Sequence, residues 1–355
     1  MEYKAVQIIE SLVAKNNYSY KAALQQIFAT AFVDADVDFL VHKLLYACDV
    51  TINFHPDRFS NNGKLIIDNL LTDGEYHNQH KTGTSNGALG GNRDDWEKHL
   101  FQGAYHNGDI DMADRPKYGA LNIHNYMDGA TARFGSCFFT IKPHVIRRCT
   151  FAFGDSSTNP EVMGTSAQFY GILKAVLHQA HKTDRFVERE DFSVQRAVEH
   201  ILSMQKNCMK EMGGNLDNIC IETHIHGKLS LLKDIEGLYV DECYLSSNIG
   251  ETIRNIAERY EIELTAIPKR QFDISRLDDE NWKWKGEPIT RILADRINKK
   301  YDCRGLLNAV VIGLAAQDSI LHPEDWLDIG SEYDLFQNFK KIWHYCAYWG
   351  VHVSN

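Results

Sequence analysis

Two segments far apart in the chain carry the side chains best suited to chemistry. Asn53-Phe54-His55-Pro56-Asp57-Arg58 closes one apolar run, and Ile221-Glu222-Thr223-His224-Ile225-His226-Gly227 lies in another. A buried charge costs several kcal/mol unless it is paired or used, so a core strand ending in such groups calls for a reason. Pro56 stops the first strand and fixes the backbone after His55. His55 and Arg58 are then expected at the strand end, projecting into a cleft. Arg58 suits bidentate phosphate contact, or a surface network with Asp57. In the second segment residues 222, 224 and 226 share one strand face, which reads Glu-His-His. A carboxylate there can act on a sugar hydroxyl or as a general base; a satisfied edge strand is the plain alternative.

Three further stretches offer ligand contacts. Lys81-Thr82-Gly83-Thr84-Ser85-Asn86-Gly87 combines hydroxyls and an amide with glycines that allow close backbone approach. Arg115-Pro116-Lys117-Tyr118-Gly119 and Arg133-Phe134-Gly135-Ser136 supply cations for phosphate, or solvated charge flanking strands. Asp155 ends an apolar run and suits either a helix cap or a site role. A different chemistry starts from His224 and His226: an H-x-H pair at a strand end can bind zinc and leave an open position, with His55, His124 and Asp155 completing a shell.

Positioning these groups requires a mixed α/β framework. Helical periodicity fills 4–50, with Asp34 and Asp36 as caps. A strand is expected at 50–54 and a short helix at 65–71. Residues 72–135 are rich in Gly, Asn and Asp, too long for an ordinary connection and typical of a functional loop. Strands follow at 134–141 and 150–153, helices at 167–181 and 194–209, and strands at 218–226 and 238–240. Beyond about 250 the pattern turns mostly helical, at 252–260, 289–299 and 306–316, with a strand at 263–267. This divides the chain into an N-terminal helical section (1–49), a core (50–247) and a C-terminal mostly helical section (248–355): an α+β fold built on a mixed sheet.

Composition narrows the function class. The 355 residues are 44% hydrophobic and 24% charged, ordinary for a globular protein with a full core. A net charge of −10 argues against a non-specific nucleic-acid binder, which needs a basic face. The eight cysteines form no C-x-x-C pair and read as reduced core thiols. The first 14 residues form an amphipathic pattern without the apolar stretch of a signal peptide, and no apolar run reaches 18 residues. A cytoplasmic protein is expected, or one exported by a dedicated machine.

At these residues the chain resembles an uncharacterised bacterial domain family, through FHPDR, TG-x-SNG, RPKYGALN, RFGS, TF-x-FGDS and an E-x-x-IHG strand, over roughly 50–245. More distantly, Asn-Phe-His-Pro-Asp-Arg with Asp73-Gly74 is similar to the opening motif of ADP-ribosyltransferases of the poly-ADP-ribose polymerase and diphtheria-toxin type. Phe134–Ser156 resembles the middle strands of toxin- and phage-associated members. Glu222 resembles the glutamate that begins their catalytic strand. Pro56 stands where those enzymes have glycine, Cys220 stands two residues before the glutamate, and no second-motif tyrosine is assigned. The resemblance implies an NAD-cleaving enzyme that passes ADP-ribose to an unknown acceptor. Glu222, Ser85 and His55 would be catalytic. His55, Arg58, Thr84, Ser85, Asn86, Tyr118 and Arg133 would hold NAD. The partners implied are NAD and an acceptor, and the family includes toxins and effectors. An inactive nucleotide- or protein-binding module is the non-enzymatic alternative.

Overall fold

The structure, a computed structural model, describes residues 3–84, 91–106, 111–213, 219–278 and 288–353. Helices α1 (Lys4–Ala14), α2 (Asn17–Ala31) and α3 (Val37–Tyr46) precede strand β1 (Val50–Phe54). Asp36 caps α3 by accepting from the Phe39 amide at 2.8 Å. Then come α4 (Ile66–Asp73), α5 (Gln79–Thr82), α6 (Asn92–Leu100), β2 (Lys117–Leu121), β3 (Cys137–Ile141), β4 (Cys149–Phe153) and β5 (Met163–Thr165). The middle of the chain holds α7 (Tyr170–Thr183), α8 (Val194–Ser203), β6 (Ile221–Ile225), α9 (Leu231–Asp234) and β7 (Ile235–Asp241). The last part holds α10 (Asn248–Arg259), β8 (Glu263–Ile267), β9 (Lys269–Asp273), α11 (Pro288–Lys300), β10 (Leu306–Leu307), α12 (Ala309–Leu321), α13 (Glu332–Trp349) and β11 (Val351–Val353).

Eight strands form one mixed sheet in the order β5-β4-β6-β2-β1-β3-β7-β8, antiparallel except for the parallel β7–β8 pair. Strands β9, β10 and β11 form a second, small sheet. The α+β class with a mixed sheet is therefore present. The core crosses both section boundaries: a single apolar cluster runs from Leu24 in α2 through the sheet to Ala347 in α13, and β8, from the C-terminal section, completes the main sheet.

Strand alternation gives the sheet two unlike faces. Val50, Ile52, Phe54, Leu121, Phe139, Phe151, Ile221 and Ile225 pack into the main core against α2, α3, α4, α7, α8 and α10. Register places Thr51, Asn53, Tyr118, Thr150, Glu222 and His224 together on the other face. That face is covered on one side by α6 and α1, joined through Leu100, Phe101, Ile9 and Val13, and on the other by the loop at 123–135. No helix among the described residues is long and apolar enough to cross a membrane.

Residues 134–141 contain less strand than the apolar pattern predicts: Phe134 belongs to a tight helical turn, and β3 starts at Cys137. Helix α8 stops at Ser203 rather than running to 209, because the Met204 backbone turns extended.

Candidate active site

Glu222 sits in mid-sheet on the polar face, opposite Ala120 of β2 and Ala152 of β4. Those two short side chains leave space above the carboxylate. A cleft opens there, lined by Asn53, Tyr118, Gly119, Thr131, Phe134, Asp155, Ser156, Cys220, Glu222 and Arg93, with 76–79 forming one lip. Gly119 is needed in the floor: a Cβ there would meet the Thr51 carbonyl oxygen at 2.6 Å.

Both Glu222 oxygens have donors. Oε1 lies 2.7 Å from His224 Nε2, and Oε2 accepts the Ser156 amide at 3.3 Å. Ser156 is positioned by Asp155, whose carboxylate caps the following tight turn through the Ser157 amide at 2.9 Å. Arg93 enters from the start of α6. Its guanidinium lies 4.3 Å from the Tyr118 ring centre and 5.0 Å from that of Trp96, and Nη1 donates to Ser156 Oγ at 3.3 Å. Its Nε is buried without a hydrogen-bond partner among the described residues. Tyr118 in turn donates to Glu97 Oε1 at 3.0 Å, and Glu97 is held by Arg115 at 3.2 Å. The cleft thus offers one carboxylate and one guanidinium with a spare buried N–H, held on an aromatic ring.

The expected site residues divide. Glu222 and Tyr118 come together in the cleft. His55 does not join them: it lies past the end of β1, its ring packed edge-on against Trp343 of α13 at 5.0 Å. Burial, then Arg58 and His344, hold its imidazole well below the usual range, so it is neutral. Arg58 lies beside Asp57, 3.7 Å away, also outside the cleft lining. The FHPDR segment instead anchors the C-terminal helices. Asp57 accepts from Tyr244 at 2.8 Å and abuts Gly313 of α12, and Gln317 donates to the Asp57 carbonyl at 3.0 Å. Arg133 is taken by Asp155 at 2.6 Å. Lys117 is buried and donates to the Gly227 carbonyl at 2.7 Å, and burial lowers its pKa to about 8. Thr84 bonds Thr82 at 3.0 Å. Ser85 and Asn86 lie outside the described residues.

Among the described residues no cluster of His, Cys, Asp or Glu is placed to hold a metal ion, the expected H-x-H arrangement included. Both nitrogens of His224 and of His226 are engaged within the protein: His224 by Glu222 and Thr150, His226 by Thr150 and Tyr105. His124 lies elsewhere, donating to or accepting from nothing in the cleft and 3.0 Å from the Phe186 carbonyl.

Arg93 was not expected from the sequence. It stands in Asn92-Arg93-Asp94-Asp95-Trp96-Glu97, where an arginine among acids reads as a solvated helix face.

A family model described as "Protein of unknown function (DUF3626)" matches residues 49–348. The match begins one residue ahead of β1 and extends past the 50–245 stretch marked by the sequence motifs to take in the C-terminal helices. No curated protein matches the chain at a significant level.

Proposed function

The chain belongs to this DUF3626 family of proteins of unknown function, and we propose that it is an NAD-cleaving ADP-ribosyltransferase-type enzyme. The observation that carries this reading is Glu222: a carboxylate on the floor of a cleft, opposite an arginine with an unsatisfied buried N–H and beside an aromatic ring. Cleavage of the nicotinamide–ribose bond develops positive charge on the ribose, as glycoside cleavage does. A fixed carboxylate against the ribose stabilises that charge without reorganising. Nicotinamide leaves as the neutral base with the bonding electron pair. The acceptor's lone pair then forms the new bond to the same carbon, and the acceptor loses a proton.

Arg93 suits the diphosphate, because a guanidinium presents donors to two phosphate oxygens at once. The Tyr118 ring carries that guanidinium on its face and so orients it. His55 and Arg58 have no contact role in this reading; His55 packs against Trp343 of α13, and Arg58 lies beside Asp57. Ser85, which lies outside the described residues, keeps only the catalytic and NAD-holding role that the resemblance implies. The acceptor class is open to protein, nucleic acid, small molecule and water.

The test is release of nicotinamide from NAD by the purified protein, alone and with cell lysate as a source of acceptor and activator. Release supports the reading. NAD that binds but is never cleaved in either condition transfers the site to the inactive binding-module alternative.

A further inference from the structure

Resting on the reading of Glu222 as the catalytic carboxylate, we infer that Tyr105, His226, Thr150 and His224 form a buried, one-directional hydrogen-bond chain that aims and holds it. The links are continuous. Tyr105 Oη meets His226 Nδ1 in a short contact, His226 Nε2 lies 2.9 Å from Thr150 Oγ1, Thr150 Oγ1 lies 3.0 Å from His224 Nδ1, and His224 Nε2 lies 2.7 Å from Glu222 Oε1. Thr150, His224 and His226 are all 0% exposed. The edge of Phe101 closes over both imidazoles, at 5.2 and 5.1 Å between ring centres.

Direction follows from donor counting. Glu222, taken as the carboxylate that the proposed chemistry needs, only accepts, so His224 Nε2 carries a proton. Thr150 has one proton and stands between two imidazole nitrogens, so it donates to one and accepts from the other. Two orders satisfy these constraints. In the first, every bond points toward Glu222: Tyr105 donates to His226 Nδ1, His226 Nε2–H to Thr150, Thr150 to His224 Nδ1, and His224 Nε2–H to Glu222. Both rings are then neutral. In the second, His224 is an imidazolium and every bond beyond it is reversed.

The first is the inferred order, since it seals no cation away from water. His226 is neutral in either order, and the cationic Lys117 and Arg148 face it from β2 and from the turn before β4. Burial, then His224, Lys117 and Arg148, keep His226 well below the usual imidazole range. On the cleft side Arg93 of α6 already supplies a positive charge near Glu222, and Tyr118 and Cys220 are held in their neutral forms mainly by burial.

The consequence is geometric. Oε1 is pinned from behind by the His224 imidazole, itself tied through Thr150 and His226 to Tyr105, and Oε2 is fixed by the Ser156 amide. The carboxylate plane is set before substrate arrives, and its remaining lone pairs face the cleft. Thr150, His224, His226 and Tyr105 act through Glu222 and are positioning residues.

Two readouts test this. Long-range proton–nitrogen NMR of histidine-labelled protein, with His224→Gln and His226→Gln used for assignment, reports the tautomers without any need for activity. The expected result is a neutral Nε2–H ring for both. A proton on Nδ1 of His224, in a neutral or doubly protonated ring, overturns the chain's direction. In kinetics, Thr150→Val, which keeps the volume and removes the hydroxyl, is expected to lower kcat on the order of 10²-fold with KM unchanged, because small misplacements of a catalytic group cost that much. Thr150→Ser is expected to restore kcat to within a few fold. Thr150→Val with full kcat and unshifted His224 resonances overturns the positioning role. Tyr105→Phe, at the partly exposed end, supplies a milder cut should the valine variant fold poorly. If the unaltered protein releases no nicotinamide, the NMR readout still decides the chain, and the failure lies with the NAD reading.

Discussion

At the scale of single residues, Arg93 is the most informative addition to what the sequence offers. Its guanidinium is held by Tyr118 and Trp96 and leaves Nε without a partner among the described residues. A buried donor left unsatisfied costs about 1–3 kcal/mol, which a phosphate oxygen would recover on binding. Arg93→Ala is therefore expected to raise KM for NAD roughly 10- to 100-fold, the range of a hydrogen bond to a charged group, with a smaller change in kcat. Steady-state kinetics checks this, and an unchanged KM would remove Arg93 from the substrate site. Glu222 was legible in the sequence because strand alternation alone puts it on a polar face with His224. Arg93 was not, because only the packing of α6 over β2 brings it there. His55 was misplaced for the same reason: Trp343, far down the chain, covers it.

At the scale of elements, the site depends on how closely the loop at 128–135 lies on β1. Asn53 fastens that loop, donating to the Asp128 carbonyl at 2.8 Å and the Gly135 carbonyl at 3.2 Å, and its Oδ1 accepts from Thr131 Oγ1 at 3.3 Å. Gly135 permits the approach: a Cβ there would meet the Phe54 carbonyl carbon at 2.0 Å, with no rotamer to relieve it. Gly135→Ala is expected to cost about 3 kcal/mol, the upper range for overpacking, and to open the cleft by moving Phe134. Chemical denaturation measures the loss; unchanged stability would contradict the packing described. Strand β2 shows why elements here were only partly legible. Lys117 and Gly119 break its apolar alternation, so it reads as a loop with a spare cation. In the fold Gly119 lets β2 lie against β1, and Lys117 ties β2 to the Gly227 carbonyl. The helix at 92–100 was hidden likewise, by charge rather than by glycine.

At the scale of the whole molecule, the N-terminal helices, sheet and C-terminal helices share one core, so stability is set by groups distributed across it. His124 and His344 lie in different parts of that core, and both have their pKa lowered to about 3, chiefly by burial. Unfolded imidazoles titrate near pH 6.5. Between pH 6.5 and 3 the unfolded chain binds more protons than the native one, so their contribution is complete above about 6.5 and is lost as pH falls. The slope is about 1.4 kcal/mol per pH unit for each group. The buried Asp49, Asp57 and Asp241, whose carboxyls burial pushes up, act in the opposite sense at lower pH. The melting temperature is expected to fall between pH 7 and 5.5, and less steeply in His124→Asn; equal slopes would show that His124 does not titrate on unfolding. The central claim concerns what this assembled core holds at its centre, and the most direct measurement is nicotinamide release from NAD by the unaltered protein beside Glu222→Gln, with both shown to be folded. Removing one preorganised electrostatic group costs on the order of 10²–10³ in kcat. Release that drops by that factor in the variant is the expected result; equal release from both would contradict the role given to Glu222.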